Sequence, residues 1–207
     1  MYTTYIIIGI TIAVSMIAFN NQTLYRDLMM NPYMINTRNQ YYRFFSSGFI
    51  HGGHTHLLMN MITLYFFGTI LEQLFEMYFG GNGQIYFIIL YVLGIVVSDI
   101  PTYFKNIHNP GYNSLGASGG VSSIMFAFIM FRPLAELQLY FFIPLKGFIF
   151  AILYVVYSYY QGKKSGDNIN HDAHLYGALF GILFCVVMRP AVVSEFFQQI
   201  TAWRILE

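Results

Sequence analysis

Six apolar stretches separated by short polar breaks occupy most of the chain: residues 5–19, 54–74, 85–104, 116–131, 147–160 and 173–188. A helix crosses a bilayer in about 20 such residues. Charged residues make up 9% of the 207, and 57% are hydrophobic, where an average soluble domain carries roughly 25% charge. That is too little charge to cover a water-facing surface. The chain is therefore read as an all-α membrane protein with the lipid bilayer as its surroundings, a bundle of six transmembrane helices. The net charge of +1 gives no electrostatic footprint for nucleic acid. Cys185 is the single cysteine and sits inside an apolar run, which excludes a disulfide framework. The first stretch lacks the basic flank and cleavage site of a secretory signal and is expected to remain as a helix. No linker or repeat divides residues 1–207, so one transmembrane domain is expected.

The breaks carry turn chemistry: Gly-Gly-Asn-Gly at 80–83, Asn-Pro-Gly at 109–111 and Arg189-Pro190. The interval 20–43 mixes aromatics with Pro32, Arg26, Arg38 and Arg43, a composition suited to a structured loop lying in the membrane interface. The fourth stretch has only sixteen residues. It is either a tilted helix or a short helix starting within the membrane, with irregular loop above it. Irregular backbone at that depth needs protein or a watery cavity around it. The second reading puts Ser118, in NSLGASGGVSSIMF, in the membrane plane and in contact with water. Charge bias leans the other way from the orientation adopted below. With both termini cytoplasmic, that side holds Arg132, Lys146, Arg189 and Arg204, against Arg26, Arg38, Arg43, Lys105, Lys163 and Lys164 opposite.

Polar side chains within apolar spans are expensive and call for a reason. His56 and Asn60 are four apart and share a helical face. In HDAHLYGALFG, His174, Gly177 and Gly181 share another, and glycines so spaced let a neighbouring helix approach. Gly119 and Gly120, beside Ser118, offer a matching flat surface. Taken singly, each of these residues reads as packing or an interhelical hydrogen bond. Together they supply a nucleophile, a base and oxyanion donors. A metal is not expected. His51 with His56, and His54 with His56, are spaced so that neither pair shares a helix face, and no acidic residue stands at a ligand-like spacing.

In this order and spacing the residues resemble the rhomboid family of intramembrane serine proteases. The G-x-S-G motif reads Gly116-Ala117-Ser118-Gly119. The histidine-glycine motif of the last helix reads His174 to Gly177, with Gly181 after it. His51, His56 and Asn60 match the second-helix pattern, Glu72 the helix-end glutamate, and Tyr42-Arg43 stands where the family has Trp-Arg. The resemblance implies a rhomboid-like bundle in which Ser118 is the nucleophile and His174 its base, a dyad without a carboxylate or cofactor. His56, Asn60 and the Ser118 amide would hold the oxyanion. Gly116, Gly119, Gly177, Gly181, Glu72 and Arg43 would be structural.

The implied substrates are transmembrane segments of other membrane proteins, cleaved where they unwind. The site is expected to open on the non-cytoplasmic side of the plasma (inner) membrane. The loop 161–172, with the fifth helix, corresponds to the family's gate; read from its residues alone it is either a mobile cap or an ordinary solvated loop. No further domain is expected at either end. Ser122 departs from the pattern, since some relatives carry there a tyrosine that packs on the histidine. Orientation of His174 then falls to Tyr176 or to an aromatic of a neighbouring helix. The competing reading is a catalytically silent relative that binds transmembrane clients. A transporter is disfavoured by the absence of inverted repeats.

Overall fold

The computed structural model describes residues 2–139, 143–164 and 169–203. The expectations for Arg204 and for the middle of the 161–172 loop, residues 165–168, concern positions outside the described residues. The elements are α1 (Thr3–Phe19), α2 (Gln22–Leu28), α3 (Pro32–Arg38), α4 (Arg43–Ser46), α5 (His54–Phe79), α6 (Gly83–Asn106), α7 (Ser118–Phe131), β1 (Glu136–Leu139), β2 (Ile143–Lys146), α8 (Gly147–Gly162), α9 (His171–Met188) and α10 (Ala191–Ala202). Every residue of α7 after Ser118 is buried. A helix that is apolar all round belongs at the centre of a bundle, and α5, α6, α8, α9 and α10 all pack on it.

Among the described residues, two helical stretches are long and apolar enough to cross a membrane, residues 54–106 and 171–188, while α1 and α7 are apolar but shorter. The first stretch is folded back on itself by a tight turn at Gly80–Asn82. Gly80 adopts φ +58°, and a Cβ on Gly83 would stand 2.6 Å from the Glu76 nitrogen, so the hairpin needs glycine at both points. Large apolar side chains such as Ile6, Phe66, Phe104, Ile152, Leu183 and Val187 point outward from five different helices. So much exposed apolar surface suits hydrocarbon rather than water.

The structure departs from the sequence reading in its boundaries and in two elements. Helix α5 continues five residues past 74, so Glu72 sits within the helix rather than at its end. Helix α7 begins at Ser118, not Gly116, and has 14 residues. The β1–β2 hairpin pairs Glu136 with Lys146 in both backbone register and side-chain charge, at 2.8 Å. The amphipathic helix α10 follows Pro190 and is pinned by a two-point Arg189–Glu195 ion pair at 2.6 and 2.7 Å. That hydrogen-bonded guanidinium holds the Glu195 carboxyl below the usual carboxylate range.

The 20–53 loop is built from capped short helices. Asn21 and Asn31 accept the Leu24 and Met34 amides at the starts of α2 and α3. Arg43 is 3% exposed. It donates from Nη1 to the Arg26 and Met29 carbonyls, at 2.8 Å each, and from Nε to Gln40. A buried cation is thus satisfied by the carbonyls at the end of α2. Glu72 balances the opposite case. Its two oxygens accept the Thr3 and Thr4 amides, at 3.0 and 3.1 Å, and the Thr4 hydroxyl at 2.9 Å. The carboxylate of α5 therefore caps α1, whose own N-cap residue supplies no side-chain bond.

Helix α9 lies backbone-to-backbone on α7. A Cβ on Gly177 would fall on the Gly119 carbonyl, and one on Gly181 on the Ser123 carbonyl. Ser123 staples the contact, its hydroxyl lying within reach of the Gly119 and Gly177 carbonyls at 2.9 and 2.8 Å. On the other side of α7, Gly119 and Gly120 press on Ser98 and the Tyr91 carbonyl of α6. A side chain at 181 meets main chain, which cannot swing away. Gly181→Val is expected to lose about 3 kcal/mol, the upper end of overpacking costs, measured by unfolding in mixed micelles. An unchanged unfolding midpoint would contradict this packing.

Candidate active site

Ser118 is the first residue of α7, and the chain reaches it through Gly116 at φ +117°. That left-handed geometry alone favours glycine. A Cβ there would also collide with the His56 imidazole, 2.7 Å from Cε1 and 2.9 Å from Nε2. The segment before Ser118 is irregular, and the 20–53 loop satisfies its backbone. Met30 and Ser114 exchange two amide-to-carbonyl bonds of 3.0 Å, the Gly116 amide donates to Ser47 O at 2.9 Å, and the Ala117 amide donates to His51 Nε2 at 3.3 Å.

Because Nε2 of His51 accepts, its proton is assigned to Nδ1, which donates to Ser15 Oγ at 3.0 Å. Ser15 in turn donates to Phe49 O at 2.9 Å. This relay ties α1 through a fully buried histidine to the residue before Ser118. His51 is thereby explained as a structural member of the second-helix pattern.

Ser118, His174, His56 and Asn60 all line one cavity of about 290 Å³, together with Ser122, Thr63 and Tyr154. Its apolar walls come from Met59, Val121, Met125 and Phe150. Ser118 and His174 are half-buried, and Asn60 is buried. The Gly52 amide donates to His56 Nδ1 at 3.3 Å, which assigns the ring proton to Nε2, the nitrogen lying over Gly116. Asn60 donates one amide proton to the His56 carbonyl at 3.0 Å, fixing its side chain one turn along the same face.

Four of the residues singled out by sequence thus line one cavity, and the six expected to be structural make packing or helix-end contacts elsewhere in the fold. Gly116 and Gly119 flank Ser118, Gly177 and Gly181 seat α9, and Glu72 and Arg43 secure α1 and the loop. Tyr176 is exposed on α9. The aromatic that meets His174 is Tyr154 of α8, with ring centroids 6.3 Å and planes 25° apart. Its hydroxyl lies 2.7 Å from Ser122 Oγ. No spacing rule links residues 154 and 174, and the one indirect sign of the pairing is a serine at 122.

A second, smaller polar space of about 10 Å³ lies behind Ser118, lined by Ser98, Asp99, Ser114 and Asn170. Its volume is close to that of one water molecule. Asp99 accepts from Asn170 Nδ2 at 3.3 Å, while Asn170 Oδ1 accepts from Thr102 Oγ1 and caps α9 at the Ala173 amide. Asp99 therefore stands closer to Ser118 than its place near the end of a span suggested. Asp172 is engaged by Lys105 in an ion pair. Among the described residues no three His, Cys, Asp or Glu side chains converge as metal ligands would.

The profile of the rhomboid domain matches residues 38–191, well over half of the chain. RHOMBOID-like protein 12, mitochondrial, of Arabidopsis thaliana is 29% identical over 84% of this chain and 55% of its own length. "Putative rhomboid protease YdcA" of Bacillus subtilis (strain 168) is 26% identical over 77% of this chain and 73% of its own. Rhomboid-related protein 1 of Caenorhabditis elegans is 27% identical over 79% and 44%. The chain thus spans about half the length of the plant and worm relatives. With a matched domain that contains Ser118, His56, Asn60 and His174 and takes in all of α4 to α9, this chain belongs to the rhomboid family of membrane proteins.

Proposed function

We propose that the protein is an intramembrane serine endopeptidase. The observation that carries the reading is the convergence of Ser118, His174, His56 and Asn60 on one cavity at a glycine-mediated contact between α7 and α9. In this reading α1 and α5 to α9 are the six spans of a single transmembrane domain over residues 1–207. Helix α7, too short to cross alone, starts below the membrane surface.

Ser118 Oγ attacks the scissile carbonyl while His174 takes its proton. The resulting oxyanion meets the Nε2 proton of His56, the second amide proton of Asn60 and the Ser118 amide. The intermediate collapses as His174 returns the proton to the leaving amine, and an acyl ester remains on Ser118. Water, activated by the same histidine, then attacks the ester and releases the acid. The small polar space behind Ser118 is the natural place to hold that water. No carboxylate is assigned to the dyad, since Asp172 is held by Lys105.

The substrates proposed are transmembrane segments of other proteins that unwind near a helix end, where the peptide bond is freed from its helical hydrogen bond. The cavity is taken to open on the non-cytoplasmic side. Helix α8 and the loop after it flank the cavity and are proposed as its gate.

Cleavage of a reporter membrane protein in liposomes is expected for the native chain and not for Ser118→Ala, because nucleophile and base act as a unit. Equal cleavage by the variant would end this reading, and no cleavage by either would favour a silent client-binding relative. Sidedness is tested separately by cysteine accessibility in intact cells. Lys163→Cys is expected to react with an impermeant reagent from outside, and Arg132→Cys is not. The reverse pattern would invert the orientation.

A further inference from the structure

Helix α8 is the least embedded of the long helices. Gly147 and Ser158 are the buried residues among its sixteen, whereas α7 buries thirteen of fourteen. Its attachment beside the cavity runs through aromatic rings. Tyr154 stacks on His174 and meets Phe126 of α7 at 5.3 Å between centroids. Tyr157, three residues on, meets His171 edge-on at 5.7 Å, and His171 meets His174 edge-on at 5.9 Å. Two tyrosines of one α8 face thus interleave with two histidines of one α9 face. Tyr154 alone also reaches α7 through a polar bond, its hydroxyl lying 2.7 Å from Ser122 Oγ, and Ser122 is one turn after Ser118.

We propose that Tyr154 is the positioning residue for His174, its ring fixing the imidazole plane and its hydroxyl fixing that ring against the helix that carries Ser118. The inference rests on the Ser118–His174 chemistry proposed above and names what orients the base. The physical need is clear. An imidazole turns about its last side-chain bond with a broad, nearly two-fold preference, and a base that turns loses its line to the nucleophile. Among the described residues, the carboxylates of Asp172 and Asp99 are engaged by Lys105 and Asn170. At 6.3 Å between centroids the two rings are offset, and the tyrosine edge limits how far the imidazole can turn.

The bond to Ser122 gives the arrangement a common reference, since Ser118 and Ser122 share one rigid helix turn. One consequence follows from α8 being held so lightly: displacing α8 unstacks His174, so the base is set only while α8 rests on α7.

The test uses the full chain in liposomes, with kcat and KM for a transmembrane reporter and the labelling rate of Ser118 by a small fluorophosphonate. Tyr154→Leu is expected to lower kcat on the order of 100-fold, as sub-ångström to 1 Å misplacement does, with KM changed little. Labelling should slow in parallel, although the small probe needs no lateral entry past α8. Tyr154→Phe keeps the ring and should restore kcat to within a few-fold of the native chain. Ser122→Ala should match Tyr154→Phe, and the double variant should add nothing further, because both remove one bond. Should Tyr154→Leu fail to fold, Tyr154→Met carries the same expectation.

Native kcat in Tyr154→Leu, or equal loss in the Leu and Phe variants, would overturn the proposal. A loss confined to KM with normal labelling would also overturn it, by making Tyr154 part of the substrate path alone. A native chain that neither cleaves nor labels would instead remove the protease reading on which the inference rests.

Discussion

Contact between the backbones of α7 and α9 is the constraint on which the other arrangements depend. Gly177 rests on Gly119 and Gly181 on Ser123, with no side chain between. Helix axes can approach this closely only where small residues face each other, because van der Waals packing and interhelical hydrogen bonds, not the hydrophobic effect, hold helices together in lipid. Ser123 adds such a bond to the Gly177 carbonyl. His174 is three residues before Gly177, so fixing Gly177 against Gly119 carries the imidazole to the cavity that Ser118 lines. A bundle with ordinary side chains at these positions would hold the same residues farther apart.

A short central helix creates a second demand. The chain from Asn106 to Ser118 runs without regular structure over the head of α7, and its amides need partners. The 20–53 loop provides them at Met30, Ser47 and His51. That loop must itself be rigid, which explains why Arg43 is buried among carbonyls. The start of α1 in turn is held by the Glu72 carboxylate. Charged groups that look costly in an apolar chain are each matched to the end of a helix or to a loop carbonyl, where backbone atoms would otherwise be unpaired. The reach of these contacts, from Ser15 through His51 to Ala117, makes the geometry at Ser118 a property of most of the fold.

Much of this was legible in the sequence because it is written as length, apolarity and short-range spacing. The apolar runs appear as helices, and the serine, the two histidines and the asparagine line one cavity. Ends were less legible. Phe75 to Phe79 prolong α5 where the apolar pattern becomes mixed with Glu76. Gly116 and Ala117 look like the start of a run but serve as the turn into α7. The β1–β2 hairpin is hard to read from sequence, because Pro144, which cannot donate to a ladder, argues against a strand. It is tolerated in a two-stranded ribbon, where each strand has an open edge. Helix α10 is short and amphipathic and follows a proline, so it did not resemble a span. Tyr154 and Ser15 were invisible for a different reason: each acts across helices, and no periodicity within one helix records which aromatic or hydroxyl of another will face it.

In the proposed function, this framework makes an ordinary serine hydroxyl into a nucleophile with His174 as its base. The most direct measurement is reaction of the membrane-embedded chain with a fluorophosphonate, read by peptide mass spectrometry, alongside a His174→Ala variant. An adduct is expected on the peptide containing Ser118 in the native chain and none above background in the variant. Absence of that adduct in the folded native chain, or an adduct of equal rate without His174, would contradict it.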